Sequence, residues 1–161
     1  MAATDFREDF LTALKEKISS ESDWLSNMAN FSALIYQKFP KINWVGFYLL
    51  RKDKNILQLG PFQGLPAVSK IEVGDGVCGT AVAEEEVQRV DNVHEFPGHI
   101  VCDCASESEL VIPIWLDQKI IGVLDVDSPI RARFSEEDQQ LLVKALKELV
   151  TNSDFKDFFI K

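Results

Sequence analysis

Apolar residues recur at helical spacing over the first forty positions and then switch to strict alternation. Phe6, Phe10, Leu11, Leu14 and Ile18 form one stripe behind a cap made by Asp5 with Glu8 three residues on. Trp24, Leu25, Met28, Phe31, Leu34 and Ile35 form a second, wider stripe opened by Ser22 or Asp23. These spacings predict two packed helices, the second ending before Pro40. From Ile42 the period is two: Val45, Phe47 and Leu49 fall on one face, and Trp44, Gly46, Tyr48 and Leu50 on the other. A strand apolar on both sides is covered on both sides. The polar turn Arg51–Asn55 leads to a hairpin partner over Ile56–Leu59. Gly60, Pro61, Gly64 and Pro66 then predict a loop beside the open end of the sheet, because this run cannot continue a regular strand.

Further on, Lys70–Val73 reads as a short strand, Gly74-Asp75-Gly76 as a turn, Val77–Glu86 as a short helix and Val87–Val90 as another strand. A long loop over Asp91–Ser106 precedes the clearest hairpin in the chain, Leu110–Leu116 and Lys119–Val126 joined at Asp117-Gln118. Ser135 with Asp138 caps a last helix that carries Leu141, Leu142, Ala145, Leu146 and Leu149. Phe155, Phe158 and Phe159 share a helical spacing within Thr151–Lys161 and imply docking against the body or a partner. Strands joined by hairpins give an antiparallel sheet. The expected class is therefore α+β, with the terminal helices on one face and a ligand pocket with loops on the other. At 161 residues and 46% apolar content there is enough chain for one core. We expect a single domain over 1–161, with helices in 1–40, the sheet and active-site loops in 42–128 and the last helix in 135–150.

Seventeen basic against 26 acidic residues leave a net charge of −9. Spread along the chain, this repels nucleic acid and anionic membrane surfaces and suits cationic or zwitterionic small molecules. Met1–Asp9 carries acids where a secretory leader needs basic residues, and no apolar run approaches spanning length, so a cytoplasmic location is expected. Three unevenly spaced cysteines make no disulfide framework; in a reducing compartment such thiols are either packed or reactive.

Candidate chemistry concentrates in Pro97–Cys104, which gathers Cys102, Cys104 and His99 in eight residues of punctuated loop. Cys78 stands near the start of the predicted short helix, where the dipole would lower its pKa. Alternation puts Asp125 and Asp127 on one strand face, in line with Ile121 and Val123, and Glu109 opens the neighbouring strand. These acids are either solvated strand ends or a cluster that shares a proton or pairs with a cation. Trp44 and Tyr48 are either core or one wall of an aromatic pocket. A zinc site would draw on His94, His99, Cys102 and Cys104, with Cys78 more distant. Cys-x-Cys is tighter than the spacing of structural zinc sites, and His94 reads instead as packed against Phe96.

Five motifs stand in order: Asn43-Trp44-Val45-Gly46-Phe47-Tyr48, Gly60-Pro61-Phe62-Gln63-Gly64, Gly76-Val77-Cys78-Gly79-Thr80-Ala81, Gly98-His99-Ile100-Val101-Cys102-Asp103 and Gly122-Val123-Leu124-Asp125-Val126-Asp127. With them the chain resembles the free methionine-R-sulfoxide reductases, a branch of the GAF-domain fold, from Ile42 to about Leu149. The resemblance implies Cys102 as nucleophile and Cys78 as a cysteine that resolves it. It implies Glu109, Asp125 and Asp127 as substrate-site carboxylates, Glu109 and Asp125 among them catalytic, and Trp44 and Tyr48 as the aromatic wall. Val68 stands where many members carry a further cysteine and Cys104 where they usually have a small residue, so Cys78 and Cys104 are alternative resolvers. The implied activity is thiol-dependent reduction of free L-methionine-(R)-S-oxide, through a sulfenic acid and an intramolecular disulfide. No bound cofactor is implied; thioredoxin is the external reductant and a homodimer the expected assembly. The rival reading is a non-catalytic, small-molecule-sensing GAF module. Such a sensor is usually joined to an output domain, whereas this chain ends soon after its last helix.

Overall fold

A computed structural model describes residues 5–98 and 105–158. Helix α1 spans Phe6–Ile18, and the Asp5 carboxylate accepts from the Arg7 N–H at its N-terminus. Helix α2 spans Trp24–Lys38 behind Asp23, and its C-cap Phe39 is extended, as the residue before Pro40 must be. There follow β1 (Trp44–Arg51), β2 (Ile56–Gly64), β3 (Lys70–Glu72), α3 (Gly76–Glu84), β4 (Gln88–Val90), a 3-10 turn at Val93–Glu95, β5 (Ser108–Leu116), β6 (Lys119–Ser128) and α4 (Glu136–Asn152). A full capping box between Ser135 and Asp138 starts α4.

The strands form one antiparallel sheet in the order β3-β2-β1-β6-β5-β4. Asp117 and Gln118 both take positive φ, 48° and 63°, the backbone a tight two-residue hairpin turn requires. Two irregularities correct the sequence reading. The Gly60–Pro66 run does not end the strand, since β2 continues to Gly64. Gly46 pairs with Phe62 and Tyr48 with Leu59, which leaves Gly60 and Pro61 together opposite Phe47 in a bulge. A bulge asks no ladder N–H of Pro61, and its carbonyl instead accepts from Ser32 Oγ at 3.3 Å. A second bulge sits in β6: Ile114 pairs with Gly122 and Trp115 with Ile120, so Ile121 is the extra residue. Ile121 consequently faces the helices and is not in line with Asp125.

Helices α1, α2 and α4 cover one face over a core that includes Phe10, Leu14, Phe31, Phe47, Leu110 and Leu124. The other face carries Trp44, Tyr48, Leu57, Val111 and Val123 under α3 and its neighbouring segments. Helix α3 can lie so close only because of Gly79, where a Cβ would stand 2.5 Å from the Glu72 carbonyl oxygen. Among the described residues no helix follows α4. Phe155 and Phe158 dock on Trp24, with ring centroids at 6.4 and 4.7 Å, while Phe159 lies outside the described residues.

The helical layer is locked to the sheet's exit loop by Asp138. Its carboxylate takes Arg7 on one oxygen and Arg133 on the other, both at 2.8 Å, while itself 1% exposed. Breaking a buried ion pair from the acid side leaves cations without their partner, so Asp138→Ala is expected to cost about 3 kcal/mol. Urea unfolding measures this; a loss below about 0.5 kcal/mol, the level of a surface pair, contradicts it.

Candidate active site

Sheet register assembles the acids. Asp127 of β6 lies between Trp44 of β1 and Glu109 of β5, and two residues back Asp125 lies between Gly46 and Val111. All three carboxyls occupy the α3 side, and none is a solvated strand end: Glu109 is 5%, Asp125 3% and Asp127 4% exposed. Helix α3 crosses above them and brings Cys78, its third residue, into the same place. The Cys78 sulfur and one carboxylate oxygen each from Glu109 and Asp125 lie within 4.8 Å of one another.

Burial decides the charge state of this group. Glu109 and Asp125 are both pushed well above the ordinary carboxyl range. Desolvation is the leading cause for each, followed by the charge of Asp127 on Glu109 and that of Glu109 on Asp125. Their oxygens lie within 4.8 Å of each other, and a hydrogen bond between two carboxyls requires a proton on one of them. Cys78 corrects the expectation drawn from the helix N-terminus, because its thiol is pushed up. Burial comes first, then Asp125, Glu109 and Asp127, all of which oppose a thiolate. An exposed helix terminus is a modest influence, and desolvation beside three acids outweighs it. One oxygen of Asp125, Oδ1, is shielded from solvent with no hydrogen-bond partner.

Trp44 and Tyr48 are both buried and stacked, and Phe62, which the sequence did not single out, joins them. Trp44 stacks on Tyr48 with centroids 6.0 Å apart, and on Phe62 at 5.4 Å and 16°. Phe62 lay hidden in the run read as a loop. The available signal was Gly46, whose missing Cβ, 2.3 Å from Phe62 Cβ and 2.7 Å from the Trp44 ring, makes room for the stack. Trp44 Nε1 donates to the Leu65 carbonyl at 3.0 Å and the Tyr48 hydroxyl to that of Val68 at 2.9 Å, so the wall ties down segment 65–68.

Cys102, Cys104 and His99 lie outside the described residues, and described residues on either side of them have contacts near the acids. Phe96 packs against the Trp44–Tyr48 cluster. Ser106, four residues beyond Cys102, receives Asn43 Nδ2 at 3.2 Å, and the Asn43 N–H donates to the Asp127 carbonyl. His94 is not packed against Phe96 as expected. It is half exposed and meets Glu107 at 3.3 Å, with Arg131 on the other Glu107 oxygen at 3.1 Å. Among the described residues His94 therefore stays out of the one metal-compatible group, Cys78 with Glu109 and Asp125. A separate cleft of about 750 Å³ opens at the hairpin end of the sheet, lined by residues that include Leu49, Arg51, Leu116, Ile120 and Phe155; none of the acids borders it.

Comparison with known proteins places this geometry. Residues 27–152 match the GAF domain. The free methionine-R-sulfoxide reductase of Escherichia coli is 48% identical, over 99% of this chain and 97% of that protein. The chain belongs to the free methionine-R-sulfoxide reductases. Two solved structures of the family were determined with substrate. The fRMsr of Staphylococcus aureus is 48% identical, covers 88% of this chain and 94% of its own, and has a TM-score of 0.79. The free methionine-R-sulfoxide reductase of Neisseria meningitidis is 37% identical, covers 94% and 92%, and has a TM-score of 0.88. Among the described residues, no helix in this reductase chain is long and apolar enough to cross a membrane.

Stability should carry the imprint of the buried protons. Glu109 and Asp125 hold their protons at pH values where the unfolded chain has released them. The unfolded state thus binds fewer protons, and stability falls as pH rises from the ordinary carboxyl range towards the raised values. Each retained proton steepens the fall by up to about 1.4 kcal/mol per pH unit. Asp125→Asn, which cannot ionise, is expected to flatten the profile and to exceed the wild type in stability at pH 8 but not at pH 5. Equal slopes for the two proteins in chemical denaturation would show that no proton is retained there.

Proposed function

We propose that this chain reduces free methionine-(R)-sulfoxide to methionine, with Cys102 as nucleophile and the Glu109–Asp125 pair as its acid. The observation that carries the reading is a buried carboxyl pair within 4.8 Å of the Cys78 sulfur, on the sheet face that carries the stacked Trp44, Tyr48 and Phe62. Relatives solved with their substrate support it. Sulfoxide sulfur is a weak electrophile until its oxygen is protonated or strongly hydrogen-bonded, and a carboxyl held neutral near pH 7 is suited to that work. Cys102, as a thiolate, attacks the substrate sulfur; with the acid's proton on the oxygen the sulfur–oxygen bond breaks, the hydroxyl passes to Cys102 as the transient sulfur–sulfur bond breaks, and methionine leaves with Cys102 as a sulfenic acid. The sulfoxide gains two electrons and the thiol loses them.

Cys78 then attacks the sulfur of the sulfenic acid. A disulfide forms, the sulfur–oxygen bond breaks and water leaves. With its pKa pushed up, Cys78 reacts only by giving its proton to a neighbouring base. Asp125, ionised once the first step has consumed the shared proton, is adjacent. Thioredoxin, or another external dithiol, restores both thiols by exchange, and no bound cofactor takes part. Asp127, in the same row as Trp44 and Glu109, pairs with the substrate ammonium. A peptide-bound methionine sulfoxide lacks that charge and would leave the acid unpaired, which accounts for choice of the free amino acid. The expected assembly is a homodimer in the cytoplasm.

Turnover is followed by NADPH consumption with thioredoxin, its reductase and each sulfoxide isomer. Cys102→Ser should abolish it, and Cys78→Ser should make one methionine per chain and then stop. Glu109→Gln should lower kcat by about 100-fold or more. Ligand binding without NADPH consumption in the wild type would leave a sensor instead. Loss of recycling in Cys104→Ser but not in Cys78→Ser would transfer the resolving role to Cys104.

A further inference from the structure

The Cys78–Glu109–Asp125 group has a second use besides holding protons. Its three donor atoms come from three separate elements, α3, β5 and β6, and already lie within 4.8 Å of one another with every residue buried. Zinc at about 2.3 Å from sulfur and 2.0 Å from oxygen sets its ligands roughly 3.5 Å apart, so side-chain adjustment of about an ångström closes the site. Asp125 is 3% exposed, and its Oδ1 has no hydrogen-bond partner, leaving a buried acceptor without a cation or donor. The donor set selects the ion. One thiolate with two carboxylates is poor for calcium or magnesium, which require six or more oxygens, and matches a thiophilic divalent ion with a fourth position open.

We propose that Cys78, Glu109 and Asp125 form an inhibitory site for Zn²⁺, occupied in competition with the sulfoxide substrate. The competition rests on the reading that this acid cage receives the substrate; the metal site itself does not. A metal held on these three donor atoms occupies the place that the proposed reaction assigns to the sulfoxide.

The test uses the reduced full chain carrying Cys102→Ser and Cys104→Ser, in which Cys78 is the remaining thiol. Cd²⁺ serves as a spectroscopic stand-in for zinc through its sulfur-to-metal charge-transfer absorption. One equivalent should bind with that band, Zn²⁺ should displace it, and free methionine sulfoxide should compete. Adding Cys78→Ala should erase the band, and Asp125→Asn or Glu109→Gln should each weaken binding by about tenfold or more. No band in the double variant, or a band indifferent to both carboxyl substitutions, overturns the site. A band that sulfoxide leaves untouched overturns the competition. Normal NADPH-coupled turnover with no band sinks the metal site alone. A band in a protein whose wild type turns over no sulfoxide sinks the proposed function alone.

Discussion

Three carboxyls withdrawn from water on one sheet face are the constraint around which this molecule is arranged. An isolated buried carboxylate is too costly to survive, so the group must take up protons, pair with a cation or bind a ligand that supplies one. The surroundings favour the first course, since burial and mutual charge push both Glu109 and Asp125 well above the ordinary carboxyl range. The features around the group keep it dry. Gly79 lets α3 press onto the sheet, Gly46 lets Trp44 and Phe62 stack, and the two aromatic donors hold segment 65–68 over the wall. Stability is supplied from the opposite face, where three helices bury an apolar core with no such conflict.

Much of this was legible in the residues. Helical stripes, alternation through β1, the Asp117-Gln118 hairpin and the Ser135–Asp138 cap each follow from a local period or a local hydrogen bond, and each appears as read. Neighbourhood of the acids was legible too, because alternation along β6 survives between Asp125 and Asp127 and the hairpin register adds Glu109. What failed was non-local. Whether Pro61 ends a strand depends on whether its partner strand tolerates a bulge, and the same holds for the face that Ile121 occupies. For Cys78 the sequence shows the helix terminus, which is local. The stronger influences, burial and three acids from β5 and β6, become visible only when the chain is folded.

Separation of labour follows from the topology. The sheet fixes the acids through register and the aromatic residues through stacking. Ser106 and Glu107, fastened to Asn43 and to the Ser128 carbonyl, stand directly before the strand that carries Glu109. Cys78, buried beside the same acids, is held as a neutral thiol, the less readily oxidised form.

The claim beneath all of this is that a carboxylic acid persists at neutral pH within the folded protein. Infrared difference spectroscopy in H₂O and D₂O reads it directly through the carbonyl stretch of a protonated carboxyl. At pH 7.5 that band should be present in the wild type, shift in D₂O, change in each of Glu109→Gln and Asp125→Asn, and vanish when the two are combined. A spectrum holding carboxylate bands alone, unchanged by either substitution, would contradict the account.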